Sequence, residues 1–215
     1  QHPEFKLSLE LAELSGTLQQ VIEFIETHLY DPILDRLVIS RFDLEEHIRN
    51  NGFKRIFSFE LKIKETNELL GYSYSDQLIK ALWIAISQNP EINKLLKEGK
   101  IAVGRFGGTI FLGIRGNISE DTLEQLKNLT IKLNDGIEHI VGFAEIEPPE
   151  ISDEISEEQK EEIVKETIQK IFTLPSENWT ERTIEFLVSL NEDVFKIFLE
   201  KLTDEEKITE ITNNE

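Results

Sequence analysis

"GKIAVGRFGGTIFLGI", residues 99–114, sets a glycine pair, Gly107-Gly108, between two runs of apolar residues. Two such runs joined by a tight glycine turn read as a β-hairpin over about 100–115. The neighbouring elements can be read outward from it. Upstream, "SDQLIKALWIAISQNPEINKLLKEG" has helical periodicity with a break near Pro90. Before that, "FKRIFSFELKI" alternates: Phe57, Phe59, Leu61 and Ile63 face one way, and Ser58, Glu60 and Lys62 the other. The alternation predicts a strand with one packed face and one polar face. Leu37, Phe42, Leu44 and Ile48 predict an amphipathic helix ending at "NNG", residues 50–52, and Asp31-Pro32 breaks an earlier helix over residues 5–29. Downstream, Ser119 followed by Glu120 and Asp121 starts a helix running to about Leu133, its acids placed at the positive helix end. "EHIVGFAEIE" gives a last strand, stopped by Pro148-Pro149. The order helix, strand, helix, hairpin, helix, strand predicts an α+β fold, an α/β sandwich with a mostly antiparallel sheet flanked by helices.

The bulk properties narrow the function. A chain of 215 residues that is 39% hydrophobic can bury one sizeable core with chain left over for appended elements. With no cysteine, disulfides, zinc-thiolate sites and thiol nucleophiles are excluded. A formal charge of −19 argues against a general nucleic-acid or anionic-membrane surface, because phosphate backbones are bound by cations. No apolar run is long enough to span a bilayer and no secretory signal is visible, so a cytoplasmic location is expected. His2, His28, His47 and His139 are scattered without metal-ligand spacing, and no Walker loop or G-x-S-x-G is present.

The two ends differ in character from the middle. Over residues 1–30, Leu11, Leu14, Leu18, Val21 and Ile25 form a short heptad-like seam on a helix. One reading packs that helix on its own domain; the other pairs it with its copy in a homodimer. Residues 151–215 hold 18 acids against 7 bases, more than half of the excess negative charge. Three helices are expected there, over about 156–173, 180–190 and 192–210, with enough Ile, Phe and Leu for buried faces. The acidic surface reads as a solvated face or as a docking surface for a basic partner.

Several local signatures between Asp31 and about Glu147 resemble the GGDEF family, the diguanylate cyclases that condense two GTP into cyclic di-GMP. "DPILDRLVISRF" is similar to the family's opening turn and helix. "FELKIKETNELLGYSYSDQLI" resembles its strand–turn–helix, D-L-D-x-F-K-x-I-N-D-x-L-G-H-x-x-G-D-x-L. "RFGGTIFLGI" stands where R-Y-G-G-D-E-F belongs, and "IVGFAEI" where the last strand belongs. The resemblance implies a polymerase-palm-like domain over residues 31–150, or to 173 with the following helix, between an N-terminal signalling helix (1–30) and an acidic helical region (151–215).

It also implies what has been lost. Joining a 3′-hydroxyl to an α-phosphate uses two divalent ions, which need carboxylate ligands. In the family one comes from the first Asp of the strand and another from the acid third in the hairpin motif. Here the third and fourth positions are Thr109 and Ile110, a neutral hydroxyl and an alkyl group. Two registers are open for the strand acid: gapless counting from Asn67 puts Phe59 there, and a loop one residue shorter puts Glu60 there. The guanine-contacting Asn and Asp match Asn67 and Asp76, whose plainer roles would be a turn and a helix cap. Lys64 matches a lysine near the phosphates, Arg105 the basic residue before Gly107-Gly108, while Tyr72 and Ser75 replace the usual His and Gly. The product-inhibition motif R-x-x-D is absent, its place taken by Glu98-Gly99-Lys100-Ile101. The resemblance thus implies a catalytically inactive regulatory or protein-interaction module, with no catalytic residue, no bound metal and no cofactor beyond weak magnesium carried with GTP. The alternatives are a guanine-nucleotide sensor that does not turn over its ligand (GTP or cyclic di-GMP) and an atypical nucleotidyl cyclase using Glu60.

Overall fold

The computed structural model describes residues 28–189 and residue 200. The chain divides into two compact units, residues 1–179 and 180–215, and the fold below is that of the first. The helix expected over residues 5–29 lies outside the described residues up to position 27, as does nearly all of the helix expected over 192–210.

Where a helix break and a second long helix were expected, the chain makes a hairpin. Strand β1 (His28–Asp31) pairs antiparallel with β2 (Arg36–Ile39), so Leu37 belongs to a strand. Asp31 is the reason: its Oδ1 accepts hydrogen bonds from the amides of Ile33 (2.9 Å) and Leu34 (3.0 Å), folding the Pro32 segment into a turn. Ser40 then caps α1 (Arg41–Arg49) by accepting from the Asp43 amide, and α1 buries Leu44 and Ile48.

Strand β3 (Arg55–Glu60) ends at Glu60, and Ile63 already opens α2 (Ile63–Leu70). A turn at Gly71 leads into α3 (Tyr72–Ser87), and Asn89 caps α4 (Pro90–Lys97). The glycine-centred hairpin follows as β4 (Ile101–Phe106) and β5 (Thr109–Ile114), with Gly107 at φ +59° supplying the left-handed turn residue. Ser119 caps α5 (Glu120–Lys127), which ends six residues before the expected Leu133 because Thr130–Lys132 forms strand β6. The expected last strand is two, β7 (Glu138–Ile140) paired with β6, and β8 (Gly142–Ile146) in the main sheet. One helix, α6 (Glu157–Ser189), passes through Pro175 where a gap between helices was expected.

The central sheet has the order β4-β5-β3-β8 with every neighbouring pair antiparallel. Helices cover both of its faces. On one, Phe57, Phe59, Ile110, Leu112 and Phe143 pack on Leu78, Leu82 and Ile86 of α3 and Leu123 and Leu126 of α5. On the other, Ile56, Phe111 and Ile146 pack on Leu44 and Ile48 of α1 and Val164, Ile168 and Ile171 of α6. The polar face expected for β3 is therefore not solvent-facing; Ser58 is fully buried. Each buried Phe, Leu or Ile contributes about 1.5–3 kcal/mol through apolar surface removed from water, so both layers hold the sheet.

Candidate functional site

Of the residues that the resemblance singles out, Glu60, Thr109, Ile110, Arg105 and the Gly107-Gly108 tip fall at one end of the sheet, where β3 stops and β5 starts. In the β3–β5 register Glu60 is opposite Thr109 and Phe59 opposite Ile110. Directly opposed residues share a face, so Glu60 and Thr109 lie together on the α6 side. Phe59 and Ile110 lie on the α3 side, both fully buried in the apolar core. Gly142 of β8 is the other cross-strand neighbour of Glu60.

The Gly108 tip closes down on the start of α2. The Leu61 amide donates to the Gly108 carbonyl at 3.1 Å, and a side chain at 108 would collide with Ile63 and the Leu61 carbonyl. Arg105 is bound within the protein. Its Nε donates to Asp31 Oδ2 at 2.5 Å and its Nη1 to the Gly107 carbonyl at 2.7 Å. Asp31, buried, thus ties the β1–β2 turn to the hairpin tip, a role for which its place at the head of "DPILD" was the only sequence signal.

Asn67 sits in the last full turn of α2 with its Oδ1 buried and without a hydrogen-bond partner. Lys64 and Asp76 are exposed, on the first turn of α2 and the second turn of α3. Ser75, in place of glycine, is buried, its hydroxyl against the Gly71 carbonyl at 3.4 Å, and Tyr72 is exposed.

The helix that follows the last strand covers this end. Residues 171–179 of α6 lie across it. Pro175 has no amide proton, so the Ile171 carbonyl four residues back lacks its helical partner; Ser58 Oγ donates to that carbonyl at 2.5 Å. Lys62 Nζ donates to Ser176 Oγ at 2.7 Å and sits 5.2 Å from the centre of the Trp179 ring. Trp179 Nε1 donates to the Ile140 carbonyl at 3.1 Å, and Phe172 meets Phe106 edge-on at 5.3 Å between ring centres. The Pro175 carbonyl comes so close to Gly142 that no side chain fits there.

The donors at this end do not suit a two-ion centre. Of the three positions that the resemblance implies as metal or catalytic, Glu60 alone carries a carboxylate; Thr109 offers a buried hydroxyl and Ile110 points into hydrocarbon. Among the described residues no three His, Asp or Glu side chains stand together in a way that could hold a metal ion. No helix among those residues is long and apolar enough to cross a membrane.

A second polar cluster joins α3 to the β6–β7 hairpin. Tyr74 donates its hydroxyl to Asp135 at 2.5 Å, and His139 Nε2 lies 2.9 Å from the same oxygen. Because the phenol proton is committed to Asp135, His139 must donate through Nε2. The bond to Asp135 pushes the Tyr74 hydroxyl up to about 12. Desolvation by burial lowers His139 below the ordinary imidazole value of 6.5, and Tyr74 lowers Asp135.

No family model matches the chain, and no curated protein matches it. Among solved structures it is similar to the diguanylate cyclase SiaD from Pseudomonas aeruginosa, determined in complex with its activator SiaC, at a TM-score of 0.41 and 15% identity over 79% of this chain and 70% of that one. It is also similar to a diguanylate cyclase/phosphodiesterase from Caldicellulosiruptor saccharolyticus, at a TM-score of 0.45 and 15% identity over 73% of this chain and 91% of that one. The strand–helix–hairpin–helix–strand order expected from the sequence is the one observed.

Proposed function

We propose that this chain is a GGDEF-like domain that makes no cyclic di-GMP and serves as a regulatory, protein-binding module in signalling. The observation that carries the reading is the cross-strand pair of Glu60 and Thr109, with Ile110 sunk in the core beside it. A lone carboxylate there gives two divalent ions a single anionic anchor, too little to hold the pair, and without them the attacking hydroxyl and the α-phosphate are not activated. Incubation with GTP and magnesium or manganese, followed by chromatography for any dinucleotide, is expected to return GTP unchanged. Appearance of cyclic di-GMP would replace this reading with that of an atypical cyclase.

One observation favours a second reading, a guanine-nucleotide sensor without turnover. The buried Asn67 carbonyl oxygen has no partner, and Asp76 is exposed on the second turn of α3; the resemblance matches the two to the family's guanine-edge contacts. Magnesium would come only with the triphosphate. Calorimetry with GTP and magnesium tests it, and no heat at millimolar ligand in the chain or in any variant that frees this end of the sheet rules it out.

A further inference from the structure

The geometry points to a built-in strap: residues 172–179 of α6 close the Glu60–Thr109 end of the sheet, and a nucleoside triphosphate enters only when they lift. The inference rests on the sensor reading above and adds the control of access to it.

The strap is seated by complementary oddities on both sides. A proline in a helix interior costs a hydrogen bond and leaves a carbonyl exposed; here that carbonyl, on Ile171, is met by the fully buried hydroxyl of Ser58. The next carbonyl to be crowded, that of Pro175 itself, lies over β8 at the one residue without a side chain, Gly142, directly across from Glu60. Farther along, Trp179 does two things: its indole N–H caps the Ile140 carbonyl, and its ring lies against the Lys62 ammonium that Ser176 also holds. Lys62 precedes Ile63, the first residue of α2, beside the hairpin tip. Phosphate oxygens arriving there would compete with Ser176 and Trp179 for that cation. The seated strap and the bound triphosphate are therefore alternatives, and the ligand must supply the difference between them.

Gly142→Ala and Trp179→Ala unseat the strap from opposite sides and alter none of Asn67, Asp76, Lys64 or Lys62. Both full-length variants and the unaltered chain would be titrated with GTP and magnesium, and amide hydrogen exchange followed over residues 172–179. Expected are faster exchange over 172–179 in both variants, with β3 and β5 still protected, and affinity for GTP at least tenfold tighter. If Gly142→Ala does not fold, Trp179→Ala carries the test. Equal affinity in strapped and unstrapped chains would overturn the gate while leaving the sensor reading in place. Absence of binding in all of them would overturn the sensor reading, and the gate with it. Unchanged exchange over 172–179 would show that these contacts do not seat the strap and would also overturn it.

Discussion

Ser58 shows how one hydroxyl can decide whether a helix may contain a proline. Without it the Ile171 carbonyl would be buried with no donor, which costs about 1–3 kcal/mol. Ser58→Ala should lower stability by that amount in urea unfolding, and Ser58→Thr, which keeps the hydroxyl, by less. Arg105 and Asp31 pose a sharper case, since the Asp31 carboxylate is only 7% exposed and Arg105 neutralises it. Arg105→Ala should cost about 3–5 kcal/mol by stranding the carboxylate, and adding Asp31→Asn should recover part of the loss. Placing acids at both hairpin positions is a poor test of the proposed function. Ile110→Glu puts a charge among Phe59, Leu82 and Leu112 and should unfold the domain, whereas Thr109→Asp alone sets a second carboxylate opposite Glu60 and leaves the core intact.

At the scale of elements, the link between α3 and the β6–β7 hairpin makes stability depend on pH. His139 titrates below 6.5 in the folded protein, so between its folded value and 6.5 the unfolded chain binds more protons. Stability should therefore fall as pH drops below about 6.5 and level off beneath the folded value. His139→Gln should flatten that limb in denaturant titrations at stepped pH. Tyr74 gives the opposite slope at the alkaline end. Its phenol ionises near 10 when unfolded and about 12 when folded, so stability declines as pH rises between them, and Tyr74→Phe removes that decline.

The elements that could be read from sequence were those whose signal is local. The β4–β5 hairpin follows from Gly107-Gly108 between apolar runs, and the caps at Ser119 and the break at Pro90 follow from side-chain chemistry within three residues. The β1–β2 hairpin did not, because "HLYDPILDRLVI" gives each strand four residues, too few for alternation to stand out from helical spacing. The β3 sequence showed its pleat but not its covering. Ser58 looks polar and outward until α6, more than a hundred residues later, supplies Ile171 to bury it. The gap expected between helices at 173 and 180 is absent for a related reason, since what satisfies the backbone at Pro175 lies on another element. That Thr109 and Ile110 carry no acid was legible, yet their opposite faces were fixed only by the β3–β5 register.

For the molecule as a whole, charge is the dominant long-range term. At −19 the compact state repels itself, and more than half of that excess lies beyond residue 150. Raising ionic strength from about 0.01 M to 0.15 M shortens the screening length from about 30 Å to 8 Å. Thermal unfolding at the two salt levels should show a higher midpoint at the higher one, the reverse of a fold held by surface ion pairs.

The meeting of Ser58, Gly142 and Pro175 carries a consequence for descent. A lineage that acquires a side chain at 142 can no longer accommodate the proline's carbonyl, and one that loses the proline has no further use for the serine. Homologous chains should therefore vary these three positions jointly, and an ancestor with an ordinary helix at 175 should be free to place an acid or a bulkier residue at 58 and 142.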